Sequence, residues 1–185
     1  MKLYRIILVD DEEEVRKSII RKIKWEENGF LVAGDAENGE DALEKIELLE
    51  PDLILTDIRM PYMDGLTLAE RVRQKYPSMK IVIFSGYDDF EYAKQAIKLN
   101  VTEYILKPVN VEELTAILQK IKANLDQEIE QKRNVNLLRE NYIKSLPILR
   151  EQFLNELVNA PIAYETVQTR LKEYGISLSG AQKWV

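Results

Sequence analysis

The sequence predicts an α/β fold, a doubly wound parallel sheet, over residues 1–125. Two observations carry this. Short apolar runs alternate with stretches of helical period, the signature of β-α-β units. Four of those runs also end on polar groups at the same relative place: Arg5-Ile6-Ile7-Leu8-Val9 before Asp10-Asp11, Leu53-Ile54-Leu55-Thr56 before Asp57, Ile81-Val82-Ile83-Phe84 before Ser85-Gly86, and Glu103-Tyr104-Ile105-Leu106 before Lys107-Pro108. At 185 residues the chain is long for one compact domain and short for two large ones, so one domain plus an appendage is expected.

In chain order, the first strand is followed by Glu13 to Lys24, with Val15, Ile19, Ile20 and Ile23 at helical spacing and acids in the first turn, where the helix dipole favours them. Trp25 to Gly29 reads as a turn, and Trp25 as an aromatic capping the core rather than a binding residue. Phe30 to Ala36 is an edge strand leading to Asn38-Gly39; a second helix runs from about Glu40 to Leu49 and is closed by Pro51. After Asp57, a loop through Met60-Pro61-Tyr62-Met63-Asp64-Gly65 precedes a helix with Leu66, Leu68, Val72 and Tyr76, ended by Pro77. Asp64, beside a glycine at a helix start, reads as a cap for exposed amides and not as a second catalytic acid. Ser85-Gly86-Tyr87 leads through Asp88-Asp89 to a short helix with Phe90, Ala93, Ala96 and Ile97 on a thin apolar face, which predicts low local stability.

In an open α/β sheet, chemistry collects outside the carboxyl ends of the strands. Asp57 alone could simply begin a turn, but the other strand ends bring two more acids, a hydroxyl and an ammonium to the same rim. Hard oxygen donors such as Asp10, Asp11 and Asp57 suit Mg²⁺, which prefers carboxylate, carbonyl and water ligands and bridges to phosphate. Lys107 and the Ser85 hydroxyl supply the charge and the donor that a transferred phosphoryl needs.

Val9-Asp10-Asp11-Glu12, Thr56-Asp57-Ile58-Arg59-Met60-Pro61-Tyr62-Met63-Asp64-Gly65, Ser85-Gly86 and Lys107-Pro108, at these spacings, resemble the receiver domain of a two-component response regulator. The resemblance implies a five-stranded, flavodoxin-like sheet of order 2-1-3-4-5. It implies that a sensor histidine kinase phosphorylates Asp57, that Asp10, Asp11, Asp57 and the backbone carbonyl of Arg59 hold Mg²⁺, and that Ile58, Gly86 and Lys107 bind the phosphoryl group. By the same matching Ser85 is the switch hydroxyl and Tyr104 the switch aromatic, moving inward on phosphorylation. Arg59 and Tyr87 border the path of the water that would remove the phosphoryl, and both are bulky, which predicts slow loss. The Lys107-Pro108 bond is compatible with cis, which would turn Lys107 toward the carboxylates, and with a trans proline opening the next helix; the resemblance implies cis.

Composition narrows the alternatives. A net charge of −6 gives no basic footprint for a nucleic-acid backbone. No cysteine means no disulfide, thiolate metal site or thiol nucleophile, and the apolar start runs at once into acids, unlike a signal peptide, so the chain is expected to be cytoplasmic with no membrane contact. Without histidine there is no Ser-His-Asp hydrolysis, and the phosphoryl must come from another protein or a small phosphodonor. A Mg²⁺-dependent phosphohydrolase of the haloacid-dehalogenase type also uses a strand-end aspartate, but it carries a second acid two residues on, where this chain has Arg59. A degenerate receiver acting only as scaffold would lack some of the acids, Ser85 or Lys107, all of which are present. The expected chemistry is therefore self-phosphorylation and slow autodephosphorylation, not turnover of a substrate.

Beyond the sheet, Leu114, Leu118, Ile121 and Leu125 step as a heptad seam, and no glycine or proline follows before Pro147. Residues 126–146 read as a helical linker, loosened in its middle where Ile129 is the one apolar residue between Asp126 and Asn134, and able to pair as a coiled coil. The seam predicts a homodimer, through this helix or through the face of the fourth helix, fifth strand and fifth helix. Pro147 is expected to restart the chain, with residues 147–185 opening a downstream domain: a helix with Phe153, Leu154, Leu157 and Val158 on one face, another from Ala163 to Tyr174, and an unfinished strand from Ile176. Two short helices and a strand cannot bury their own apolar face, which suggests a truncated chain. This arrangement resembles YesN-type regulators that end in an AraC-type DNA-binding domain, so DNA would be contacted through a missing C-terminal part and not by this fragment.

Overall fold

The computed structural model describes residues 3–86 and 90–177. Five strands, β1 (Tyr4–Val9), β2 (Phe30–Ala36), β3 (Leu53–Asp57), β4 (Lys80–Ser85) and β5 (Glu103–Leu106), form one sheet of order β2-β1-β3-β4-β5 in which every neighbouring pair is parallel. A one-residue irregularity between Ile6 and Ile7 shifts the register against β2. The flavodoxin-like order expected from the motifs is the one found.

Alternation along the strands explains the layers, because successive side chains point to opposite faces. Ile7, Val9, Ile54, Ile81 and Ile83 pack on one face with Ala42 and Ile46 of α2 (Gly39–Leu49), Leu68 and Val72 of α3 (Gly65–Lys75), and Ala96 of α4 (Phe90–Lys98). Ile6, Leu8, Leu53, Leu55, Val82 and Phe84 pack on the other with Ile23, just past α1 (Glu13–Lys22), and with α5 (Val111–Asn159). Trp25 is buried there and its Nε1–H donates to the Ile20 carbonyl at 3.0 Å, so it is a core cap, as its position suggested. Asp64 caps α3 through the Thr67 amide at 2.7 Å, again as expected. α2 starts one residue earlier than predicted, because Asn38 Oδ1 accepts from the amides of Glu40 and Asp41 and makes Gly39 the first helical residue.

Three expectations need correction. Leu114, Leu118 and Ile121 are fully buried and Leu125 nearly so, all in the sheet's own core. Their heptad spacing is the inner face of a helix on a sheet, so that seam is spent inside one chain and cannot pair two. Ile97, placed on the apolar face of α4, is instead 78% exposed, and Ala96 carries the buried contact. Finally, α5 does not restart at Pro147: it is continuous through the proline. Proline removes one amide bond to the carbonyl four residues back, but Ile143 and Pro147 are both exposed, so water can serve the released carbonyl.

The chain divides into two compact units, the first ending at Asp126 and the second beginning at Gln127. In the second, the end of α5 packs with α6 (Tyr164–Glu173): Phe153 and Leu171 are buried, Tyr174 meets the Phe153 ring edge-on at 5.7 Å, and Arg170 lies over that ring while pairing with Glu156 at 2.6 Å. The expected strand from Ile176 falls mostly outside the described residues. Among those described, no helix is long and apolar enough to cross a membrane.

Candidate functional site

The strand order reverses direction between β1 and β3, and ligands of open α/β sheets bind at such a switch point. Val9 pairs with Thr56, so Asp10 and Asp57 leave adjacent strands side by side. On the other flank Asp57 pairs with Phe84, and Ser85 with Leu106, which puts the Ser85 and Lys107 positions at the next two strand ends. The Lys107 amide donates to the Ser85 carbonyl at 2.7 Å, and the Lys107-Pro108 peptide is cis. Lys107 Nζ stands 2.6 Å from Asp57 Oδ1 and 2.8 Å from Asp10 Oδ2, joining the two carboxylates through one ammonium.

The electrostatics follow from counting charges: two nearly buried carboxylates share one half-buried cation. Burial, opposed by the Lys107 hydrogen bond and assisted by the charge of Asp10, holds the Asp57 carboxyl above its usual range. Burial acts to lower the Lys107 ammonium, but the hydrogen bonds it donates to Asp10 and Asp57 outweigh it and leave it raised. Both groups thus hold a proton more tightly than usual, Asp57 chiefly through burial and Lys107 through its two carboxylate partners, and two carboxylates on one ammonium leave a surplus of negative charge. A hard divalent cation would satisfy the same surplus, and carboxylate oxygens are the donors it takes. Among the described residues no three acids stand together as a ligand cluster; Asp11 is exposed, at the start of the β1–α1 turn.

The scaffold around the acids is tight. Asp57 Oδ2 accepts the Arg59 amide at 2.8 Å, and the fully buried Thr56 hydroxyl donates to the Asp57 carbonyl at 2.9 Å. Gly65 opens α3 against that same carbonyl, close enough that a Cβ would overlap the Asp57 oxygen. Gly39 likewise meets Met63, whose carbonyl accepts its amide at 3.1 Å. Every polar group of Asp10 is engaged: its amide donates to the Ala36 carbonyl, Oδ1 accepts the Glu12 amide, Oδ2 takes Lys107, and its carbonyl accepts Arg16 Nη1 at 2.6 Å.

Asp10, Asp57 and Lys107 are thus brought together directly, with Ser85 on the neighbouring strand end and buried. Ile58 is buried behind the site, and Gly86 has open space where a side chain would be, so its lack of one is not demanded by crowding. The Arg59 guanidinium lies over the Tyr92 ring of α4, 5.7 Å from its centroid. Tyr104 packs against the core with its hydroxyl buried and unpartnered among the described residues. Tyr87 lies outside them. Sequence reasoning missed Arg16, Thr56 and the steric role of Gly65. Arg16 had left a signal, a charge three and four residues before Ile19 and Ile20 of α1 and seven before the buried Ile23 just past it.

Residues 6–119 match the response regulator receiver domain family. The chain is 37% identical over 158 residues to the uncharacterized transcriptional regulatory protein YesN of Bacillus subtilis (strain 168), covering 84% of this chain and 42% of that one. It therefore spans less than half the length of this curated relative. Among solved structures, it is similar to the REC domain of AraT, a response regulator from Geobacillus stearothermophilus (39% identity, TM-score 0.65, 68% of this chain and 98% of that one). It is also similar to a two-component transcriptional regulator AraC from Clostridium phytofermentans ISDg (35% identity, TM-score 0.62, 68% and 98%).

Proposed function

The chain belongs to the response regulator receiver domain family, and from that premise we propose that Asp57 accepts a phosphoryl group from the phosphohistidine of a sensor histidine kinase. The observation that carries the reading is the one ammonium, Lys107 Nζ, held between Asp57 and Asp10. In the transfer the donor's N–P bond breaks and a bond forms between phosphorus and an Asp57 carboxylate oxygen. Charge then spreads over the phosphoryl oxygens, and positioned donors lower its cost. Lys107 is in place to exchange its Asp57 contact for one of those oxygens, and the Ser85 hydroxyl and the amides of Ile58 and Gly86 are the further donors. Mg²⁺, with Asp10, Asp11, Asp57 and the Arg59 carbonyl as its protein ligands, would supply the positive charge that offsets repulsion between phosphoryl and carboxylates.

Tyr104 is the proposed reporter. Its buried hydroxyl has no partner among the described residues; a buried hydroxyl left so costs on the order of 1–3 kcal/mol, so a rearrangement around Ser85 that gave it a partner would shift its equilibrium. Output is read as a transcriptional response, as the relative's name suggests, from a chain placed in the cytoplasm. With a net charge of −6, DNA contact is assigned to another part of the regulator. By domain, residues 1–125 act as receiver, 126–146 as linker, and 147–185 as the start of a downstream domain. Phosphorylation favours a homodimer through the α4-β5-α5 face, where Ile97, Leu106 and Val111 are exposed; sedimentation unchanged by beryllofluoride would count against that pairing. The central reading is tested by incubation with acetyl phosphate and Mg²⁺, followed by intact mass. One added phosphoryl is expected in the parent and none in Asp57→Ala or in EDTA.

A further inference from the structure

We propose that Arg16 is a positioning residue for the cation site: it fixes the turn that presents Asp10 and Asp11. The inference rests on the Mg²⁺-dependent reading above. Arg16 lies on α1 with its side chain 11% exposed. Its Nη1 donates to the Asp10 carbonyl at 2.6 Å and its Nε to Asp35 Oδ2 at 2.7 Å. Asp35 stands near the end of β2, paired with Leu8 of β1. The planar guanidinium thus spans the ends of two neighbouring strands and holds the residue at which β1 becomes the acidic turn. Two donors in a fixed fork restrict both position and direction, which a single ammonium would not do.

The geometry leaves the Asp10 carboxylate free of Arg16. Oδ1 takes the Glu12 amide and Oδ2 takes Lys107. Arg16 therefore acts on the main chain of a ligand, as outer partners of metal ligands commonly do, and not on its charge-bearing oxygens. Without it the Asp10 carbonyl would lose its side-chain donor in a buried place, and the turn would rearrange to find another.

The sign of the effect separates positioning from simple electrostatics. Arg16 is a cation beside a proposed cation site, so removing its charge should tighten Mg²⁺ binding if charge were its only contribution. Loss of positioning should instead weaken it, by roughly tenfold or more, as is usual for outer partners of metal ligands. The experiment is calorimetric titration of the whole chain with Mg²⁺, comparing parent, Arg16→Gln, Arg16→Lys and Asp35→Asn, with urea unfolding of each in EDTA to score the fold separately. Weaker binding is expected in both Arg16 variants, and a smaller loss in Asp35→Asn, whose half-exposed side chain can be changed without emptying the core. With acetyl phosphate, saturating Mg²⁺ should restore most of the phosphorylation rate, since the defect lies in holding the cation. If Arg16→Gln does not fold, Arg16→Lys decides, since it keeps the charge and loses the two-donor fork. Unchanged or tighter Mg²⁺ binding in the folded variants, with normal binding in the parent, overturns this inference alone. A parent that binds no Mg²⁺ overturns both it and the reading on which it rests.

Discussion

Replacing Gly65 by alanine tests how closely α3 must approach the end of β3. The first residue of α3 donates its amide to the Ile58 carbonyl at 2.9 Å, which pins the helix start to the strand end. A Cβ added there would overlap the Asp57 carbonyl oxygen, and would stand 2.9 Å from the Asp57 carbonyl carbon and 3.0 Å from Thr56 Oγ1. Two of these atoms are main chain, and the third belongs to a fully buried threonine, so none can rotate away. Relief requires β3 or α3 to move. Overpacking of this kind costs about 1–3 kcal/mol, while alanine recovers about 0.4–1 kcal/mol by restricting the unfolded chain. The expected result is net destabilisation by roughly 1–2 kcal/mol, read as a lower urea midpoint with unchanged slope. Acetyl phosphate labelling should fall with it, because the displaced main chain carries the Asp57 carboxylate. A midpoint equal to or above that of the parent would refute the argument from close approach.

Three further outcomes are expected. Since the Asp57 carboxyl is held above its usual range, chiefly by burial, the native state binds that proton more tightly than the unfolded chain. The stability it contributes is full below the usual carboxylate range and is lost as pH rises through the raised value; Asp57→Asn should remove this dependence and compare better with the parent at neutral than at acid pH. Urea midpoints across that range that differ by a constant would contradict the sign. Leu118→Ala should cost about 2–5 kcal/mol, because the side chain is fully buried, whereas Leu138→Ala, at a position 69% exposed, should stay within about 0.5 kcal/mol; equal effects in urea unfolding would argue against the seam's place in the core. Arg59→Asn should lose its phosphoryl faster than the parent after donor removal, since it exchanges a bulky cation for an amide able to orient water; equal decay would mean that Arg59 does not shield the site.

Much of the fold was legible because parallel strands buried on both faces read as apolar runs, and their ends coincided with the polar groups of the site. Asp10, Asp57, Ser85 and Lys107 could be named from spacing, since each ends a strand and strand ends share a rim. What spacing could not tell was which partner an apolar face meets: Leu114 to Leu125 has the period of a pairing seam, and it packs on its own sheet. Ile97 was misplaced for a similar reason, because a helix as short as α4 gives too few turns to fix which side is buried. Pro147 read as a boundary, but an exposed face lets a helix continue past the lost bond. Residues acting through the main chain were the least visible. Arg16 touches a carbonyl and Gly65 makes room for one, and neither role has a side-chain motif.

The claim at the centre of the account is that Asp57 carries the phosphoryl group. The most direct measurement is to phosphorylate the whole chain with acetyl phosphate and Mg²⁺, reduce the acyl phosphate with borohydride, digest, and sequence the peptides by mass spectrometry. Homoserine at position 57 and at no other acid is the expected result. Homoserine at Asp10, Asp11 or Asp52 with Asp57 intact would contradict it.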